Sequence, residues 1–476
     1  MMEDISRDTY ELVDEDEMIM EGKRPYIGPE EGLEDITQYE KGGFHPVHIG
    51  DILHERFEVV NKLGSGSFGV VWLCLDIELS KWRAVKVMAA NHSIEGKDQK
   101  VIHHLQRKLS AKTLLQSHIV VPIEKFWIEG ANGSHLCLIM PLLGCDVMSW
   151  RLSIDWRQEE SGVEPKEICR QVVTALSFLH KQGICHGGFR PGNILMQVDG
   201  IDSLNKDQIV DILGEPDLRY IEEDSAARGT GPEYCVVPIP SYKWTKLVSP
   251  KIAVVDFGES FLIDDPNERC GIPFEYAAPE ILFGGRPGTG SDIWSLACTL
   301  YEIRSDRSFF GSGMLEGEMF DMVAELELPL GPLPEPYRAF WYEKGYGAER
   351  EEHRNQKDAS ERLKRATDDS VTWPSHILAR NRDRMLAETK MKSIFQAIVG
   401  EQREAGQWDS NSDKEFDYSD LTYYKYRYSQ QEINELADLL ESMLKWRSED
   451  RATAESVLKN PWLHRVLTGP CFNIVI

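Results

Sequence analysis

Four short stretches of this 476-residue chain hold residue types suited to phosphate, a hard cation and a proton in transit. The first is Leu63-Gly64-Ser65-Gly66-Ser67-Phe68-Gly69-Val70-Val71. Glycine lacks a Cβ, so such a backbone can lie close to a charged ligand. Gly-x-Gly-x-x-Gly spacing alone is not specific, because dinucleotide-binding folds carry it where a strand opens into a helix. Here β-rich runs flank it, one leading in from Phe57 and one from Val71 to Leu75. A further run, Arg83 to Met88, predicts an antiparallel strand carrying Lys86 as a compact positive charge. The third stretch is His186-Gly187-Gly188-Phe189-Arg190-Pro191-Gly192-Asn193-Ile194-Leu195. The fourth is Ala253-Val254-Val255-Asp256-Phe257-Gly258, an apolar strand ending in an aspartate, which suits a metal ligand on a rigid edge.

The elements that must position these residues follow from periodicity. Residues 95–110 have helical spacing, with Val101, Ile102, Leu105 and Leu109 on one side. Strands are predicted from Val120 to Trp127 and from His135 to Met140. Ile168, Val172, Val173, Leu176 and Leu179 make residues 164–182 a strongly apolar helix leading into His186. About fifty residues then intervene before Asp256; they hold a short helix, Asp207 to Leu213, and a Gly/Pro-rich span expected to pack partly on the surface. An apolar helix starts at Ser291. Ser429 to Glu432 is a capping box that opens a helix with Ile433, Leu436, Leu439, Leu440 and Met443, and a last helix is predicted from Ala452 to Leu463. Residues 349–368 are densely charged and read as a solvated helix or loop.

Composition bounds the rest. A hydrophobic fraction of 41% with 12 Trp and 17 Phe argues for a folded chain. The net charge of −26 disfavours nucleic acid and anionic membranes and favours basic partners. Residues 1–40 carry fourteen Asp or Glu against three Lys or Arg, and residues 1–37 read as an acidic, disordered tail. No run approaches a membrane span, and the first thirty residues do not resemble a signal sequence. Nine scattered cysteines without a CxxC pair read as reduced thiols.

Taken in order, the motifs from Phe57 to about Leu463 resemble the eukaryotic protein kinases. Residues 39–51 (YEKGGFHPVHIGD), Leu142-Leu143-Gly144, F-R-P-x-N-I-L, DFGES at 256–260 and IPFEYAAPE at 272–280 narrow the resemblance to the SR-protein kinases, in particular a fungal branch. The resemblance implies an α+β, bilobal fold: an acidic tail at 1–37, a β-rich N-lobe at 38–140 with one main helix, and a mostly helical C-lobe at 141–476 with insertions near 199–250 and 340–428. It implies ATP and Mg2+, with residues Leu63 to Val71 and Lys86 binding ATP, the backbone at Gly64, Gly66 and Gly69 and the Lys86 ammonium on the phosphates, Leu143 on the adenine, and Asn193 and Asp256 on the metal. Asp98 would be the helix carboxylate facing Lys86, one methylene short of the usual glutamate; a plain surface carboxylate is the alternative. Arg451 could pair with Glu280. It also implies serine phosphorylation of basic Arg-Ser-rich splicing proteins, a monomer, and residence in cytoplasm and nucleus. Members tend to be active without activation-loop phosphorylation, and here that loop offers only Ser260 and Tyr276.

Two positions depart from the family. Arg190 replaces a lysine, keeping charge near the γ-phosphate in a different shape. Gly188 replaces the aspartate that accepts the substrate hydroxyl's proton; the loop holds no other acidic residue, and Asp256 is committed to metal. Two readings follow: a Ser/Thr kinase with impaired transfer, or a pseudokinase that binds nucleotide and Arg-Ser-like partners without modifying them.

Overall fold

The alternating apolar residues of the N-terminal third build a sheet. In the computed structural model the described residues are 24–343, less 27, 30–31, 94–96, 154–164, 223–228, 306–307, 311–325 and 327–329, together with 404–407, 422–425 and 430–464. Two compact units divide the chain: Met1–Gly96, Val120–Cys145 and Met196–Ser249 form the first, and Lys97–Ile119, Asp146–Leu195 and Pro250–Ile476 the second.

The first unit is organised on a six-stranded antiparallel sheet. Its order is Ile52–Leu53, Phe57–Gly66, Gly69–Asp76, Lys81–Met88, Gly133–Pro141, Glu124–Gly130. One face buries Phe57, Val59, Val70, Trp72, Val85 and Val87. That core continues into two segments remote in sequence. Tyr39, Phe44 and Val47 come from before the sheet, and Ile221, Cys235 and Val236 from the span after the His186 loop. The latter span, expected to pack partly on the surface, thus also contributes to the core. Its helix Lys206–Leu213 starts at a capping box made by Asn205 and Gln208. Two bonds tie it to the sheet: Trp82 donates its backbone N–H to Asp202 and its indole N–H to the Leu204 carbonyl, both at 2.9 Å.

Described residues within the stretch read as a tail, 1–37, take part in the fold. The strand Arg24–Pro25 pairs in parallel with Asp217–Tyr220, which pairs antiparallel with Tyr234–Val237. Glu34 is buried, accepting from the Tyr39 hydroxyl at 2.7 Å and from the ammonium of Lys62, itself fully buried. A buried carboxylate persists when charge and hydrogen bonds answer it. Burial, then the Glu34 charge, pushes the Tyr39 hydroxyl's pKa well above its ordinary value.

The second unit is mostly helical. Pro165–Lys181 buries all five apolar residues of its predicted face, and Thr289–Ser305 is buried nearly all round. The helix Lys97–Lys108, expected in the N-lobe, belongs here: His104 bonds the Gln182 carbonyl at 3.1 Å and Lys100 reaches Asp265 at 3.0 Å. Glu280 and Arg451 form the anticipated pair, bidentate at 2.7 Å on both arms, with the guanidinium 5.2 Å from the Trp294 ring centre. Gln430–Met443 buries Ile433, Leu436, Leu439, Leu440 and Met443. The last helix is shorter than predicted, Ala454–Leu458 followed by a 3-10 turn Pro461–Leu463. Pro461 has no N–H to continue an α-helix, and Asn460 caps the turn instead. In the insertion near 340–428, Glu404–Gln407 pairs with Thr422–Lys425; residues 349–368 and Ser429 of the predicted capping box lie outside the described residues.

Candidate active site

In the first unit the glycine-rich stretch is a tight hairpin whose strands end at Gly66 and Gly69. One cross-strand row runs Gly64, Val71, Lys86, Leu138, and the next runs Ser65, Val70, Val87, Cys137. Directly opposed residues share a face of the sheet. Val71 and Lys86 therefore lie on one face beneath the open backbone of Gly64. Val70, only 2% exposed, faces the core with Val87, so its side chain cannot touch a ligand that Lys86 touches. The Ser65 hydroxyl likewise turns away, donating to the Gly32 carbonyl at 3.2 Å. Any part Ser65 and Val70 take in ligand binding therefore falls to their backbone. Leu63 is half-buried, Ser67 and Phe68 form the exposed turn, and Phe68 packs edge-on against His92. Leu143 is buried and opens the strand Leu143–Asp146.

The three glycines serve different ends. A Cβ at Gly69 would stand 2.3 Å from the Val87 carbonyl oxygen, so the hairpin itself demands glycine there. A Cβ at Gly64 or Gly66 would meet no protein atom within 4 Å. The fold does not require glycine at those two positions. A ligand drawn close to the backbone does, which fits a phosphate cradle.

In the second unit the His186 loop is held from beneath by Asp292, in the first turn of Thr289–Ser305. Asp292 accepts from His186 N at 2.8 Å, Gly187 N at 2.9 Å and His180 Nε2 at 2.9 Å. Burial pushes its carboxyl pKa up. The His180 hydrogen bond and the His180 and His186 charges outweigh this and hold it below the usual carboxylate value. Burial lowers the pKa of His186. Its partners agree with a neutral ring: Nε2 pairs with the Val255 carbonyl at 3.2 Å, as a donor, and Nδ1 accepts from Gly188 N at 3.2 Å. Asn193 donates its side-chain amide to the Gly188 carbonyl at 2.8 Å, and the Asn193 carbonyl accepts from Val255 N at 3.0 Å. The loop is thus bonded directly to the strand that ends in Asp256.

Asp256 is exposed and has φ of +61°, a conformation disfavoured for residues with a Cβ. Such outliers persist where surrounding structure imposes them, often at functional sites. Phe257, buried beside the His186 ring at 5.2 Å, is the adjacent anchor. The Asp256 carboxylate and the Asn193 amide oxygen are hard oxygen donors, the type that Mg2+ takes. Arg190 is half-buried, and its Nη1 lies 2.8 Å from where a Gly192 Cβ would be, so a side chain at 192 would displace it. Asp98 falls on the helix Lys97–Lys108, and its side chain lies outside the described residues. The two activation-loop hydroxyls are both engaged: Ser260 donates to Phe257 O at 2.6 Å and Tyr276 to Glu302 at 2.6 Å.

Sequence reasoning missed Asp292 and Glu259. An aspartate at the first turn of an apolar helix was the available signal for Asp292. Glu259 directly follows the Asp-Phe-Gly stretch, and it lies against Gly187 and Gly188.

The chain belongs to the protein kinase family, whose domain profile matches residues 57–211 and 246–463. The unmatched stretch falls within the span that completes the first unit. It is similar to serine/threonine protein kinases of the SR-protein kinase type. It is 26% identical to a serine/threonine-protein kinase SRPK of Physarum polycephalum over 91% of each chain. It is 37% identical to human SRSF protein kinase 3 over 172 residues, which are 36% of this chain and 30% of that one. A solved kinase domain matches with a TM-score of 0.50 and 20% identity, covering 88% of this chain and 98% of its own, a likeness of fold.

Proposed function

We propose that this chain is an ATP- and Mg2+-dependent serine kinase acting on basic, Arg-Ser-rich proteins, with transfer slowed because Gly188 stands where the proton acceptor belongs. The row Gly64, Val71, Lys86 carries this reading: a backbone open to an outside ligand above a cationic side chain on the same sheet face. Lys86 neutralises phosphate charge, Arg190 adds positive charge, and Asn193 and Asp256 supply oxygen ligands to Mg2+. The metal, when bound, offsets charge developing on the transferred phosphoryl group. Phosphoryl transfer depends chiefly on such positioning and electrostatics, so losing the acceptor at 188 slows it, by up to about 10²–10⁴-fold where no other group takes its place, rather than removing its basis. The substrate class rests on the relatives' names and on charge, since a chain of net charge −26 complements a polycationic segment. A monomer working in cytoplasm and nucleus is part of the same reading.

The test is nucleotide titration with Mg2+ beside phosphate transfer to an Arg-Ser repeat peptide. Lys86→Met should weaken nucleotide binding, and an unrelated acidic peptide should not be phosphorylated. Binding of nucleotide and peptide with no transfer would favour the pseudokinase alternative. No nucleotide binding would sink both readings.

A further inference from the structure

Resting on that kinase reading, we propose that Glu259 is the carboxylate that takes the substrate hydroxyl's proton in this chain. A Cβ built on Gly188 would stand 3.8 Å from the Glu259 Cβ. Glu259 therefore leaves the backbone beside the point where an aspartate at 188 would begin, and it carries one methylene more of reach. Three glycines surround it. The Glu259 carbonyl lies 2.4 Å from where a Gly187 Cβ would be, and Oε1 lies 2.7 Å from where a Gly271 Cβ would be. A side chain at either glycine would displace Glu259. Its backbone is held by Asn267, which donates to the Glu259 carbonyl at 3.0 Å. Its carboxylate is held by the Gly271 N–H at 2.9 Å, on the segment that leads to Ala278-Pro279-Glu280. The side chain is only half-buried, so the carboxylate retains access to solvent.

In the reaction the substrate hydroxyl oxygen bonds to the γ-phosphorus of the nucleoside triphosphate. The bond from that phosphorus to its bridging oxygen breaks, and the diphosphate leaves with the electron pair. The hydroxyl proton passes to a Glu259 carboxylate oxygen and from there to water. Asp256 is then left to the metal.

The alternative is that Glu259 only anchors Gly271. Glu259→Gln separates the two, because the amide oxygen can still accept from Gly271 N–H but cannot take a proton. In the full chain, Glu259→Gln should lower transfer to an Arg-Ser peptide by about 10²–10⁴-fold, with nucleotide affinity and melting temperature unchanged. Gly188→Asp with Glu259→Gln should recover transfer. Transfer by Glu259→Gln at the wild-type rate overturns the proposal. If wild type is silent and Gly188→Asp is active, the kinase reading stands and Glu259 is not the acceptor. Silence of both overturns the kinase reading and the proposal with it.

Discussion

Asn193 donates its side-chain amide to the carbonyl oxygen of Gly188 at 2.8 Å, closing the loop through backbone and not through the missing side chain. A Cβ at Gly188 would find its nearest neighbour, Asn193 Nδ2, at 3.5 Å, an ordinary contact. Gly188→Asp should therefore fold as the wild type does, with stability within about 0.5 kcal/mol by chemical denaturation. Asn193→Ala should cost about 1 kcal/mol through the lost bond and should raise the Mg2+ concentration needed for half-maximal nucleotide binding. Strong destabilisation by Gly188→Asp would show that the loop is built around glycine.

The three hairpin glycines should separate cleanly. Gly69→Ala forces a Cβ onto the Val87 carbonyl at φ +155° and should cost about 1–3 kcal/mol of stability. Gly66→Ala meets no protein atom and should leave the melting temperature alone. It should weaken nucleotide binding by about tenfold, or about 1.4 kcal/mol. Calorimetric melting and a fluorescent-nucleotide titration read the two effects, and the reverse pattern would refute the cradle.

Asp292 makes loop stability pH-dependent. Its folded pKa lies below the unfolded one, so its contribution is complete above the unfolded aspartate value of about 3.9 and lost as pH falls through the lower folded value. Asp292→Asn should flatten the acid side of the stability curve in that window. Asp292→Ala should cost about 1–3 kcal/mol for each backbone N–H left unpaired at His186 and Gly187. Urea melts between pH 3 and 7 are the measurement.

Arg451 is fully buried beneath Glu280 and against Trp294. Glu280→Ala strands that guanidinium and should cost about 3–5 kcal/mol. Removing both partners should cost less than the sum of the single changes, which a double-mutant cycle tests. Additive losses would mean that the pair is not coupled.

Much of the molecule is legible in the chain because local pattern encodes local structure. Glycine spacing between two β-rich runs placed the hairpin, and the strand predicted from Arg83 to Met88 carries Lys86 in the cross-strand row of Gly64 and Val71. Even the Glu280–Arg451 pair was readable, because it belongs to motifs that occur in a set order. What the sequence left open concerns residues far apart in the chain whose contacts arise only from packing. Nothing local marks Tyr39, Phe44 and Val47 and the distant Ile221, Cys235 and Val236 as parts of one core over the sheet, nor shows that Glu34 needs Lys62. Side-chain direction was also undetermined until register paired Val70 with Val87 and Val71 with Lys86, since one residue of slip exchanges the two faces. That glycine and not a carboxylate stands at position 188 is visible in the sequence alone. That Glu259 stands beside the gap was decided only by the fold, because the turn after Asp256 returns the chain against the loop it follows.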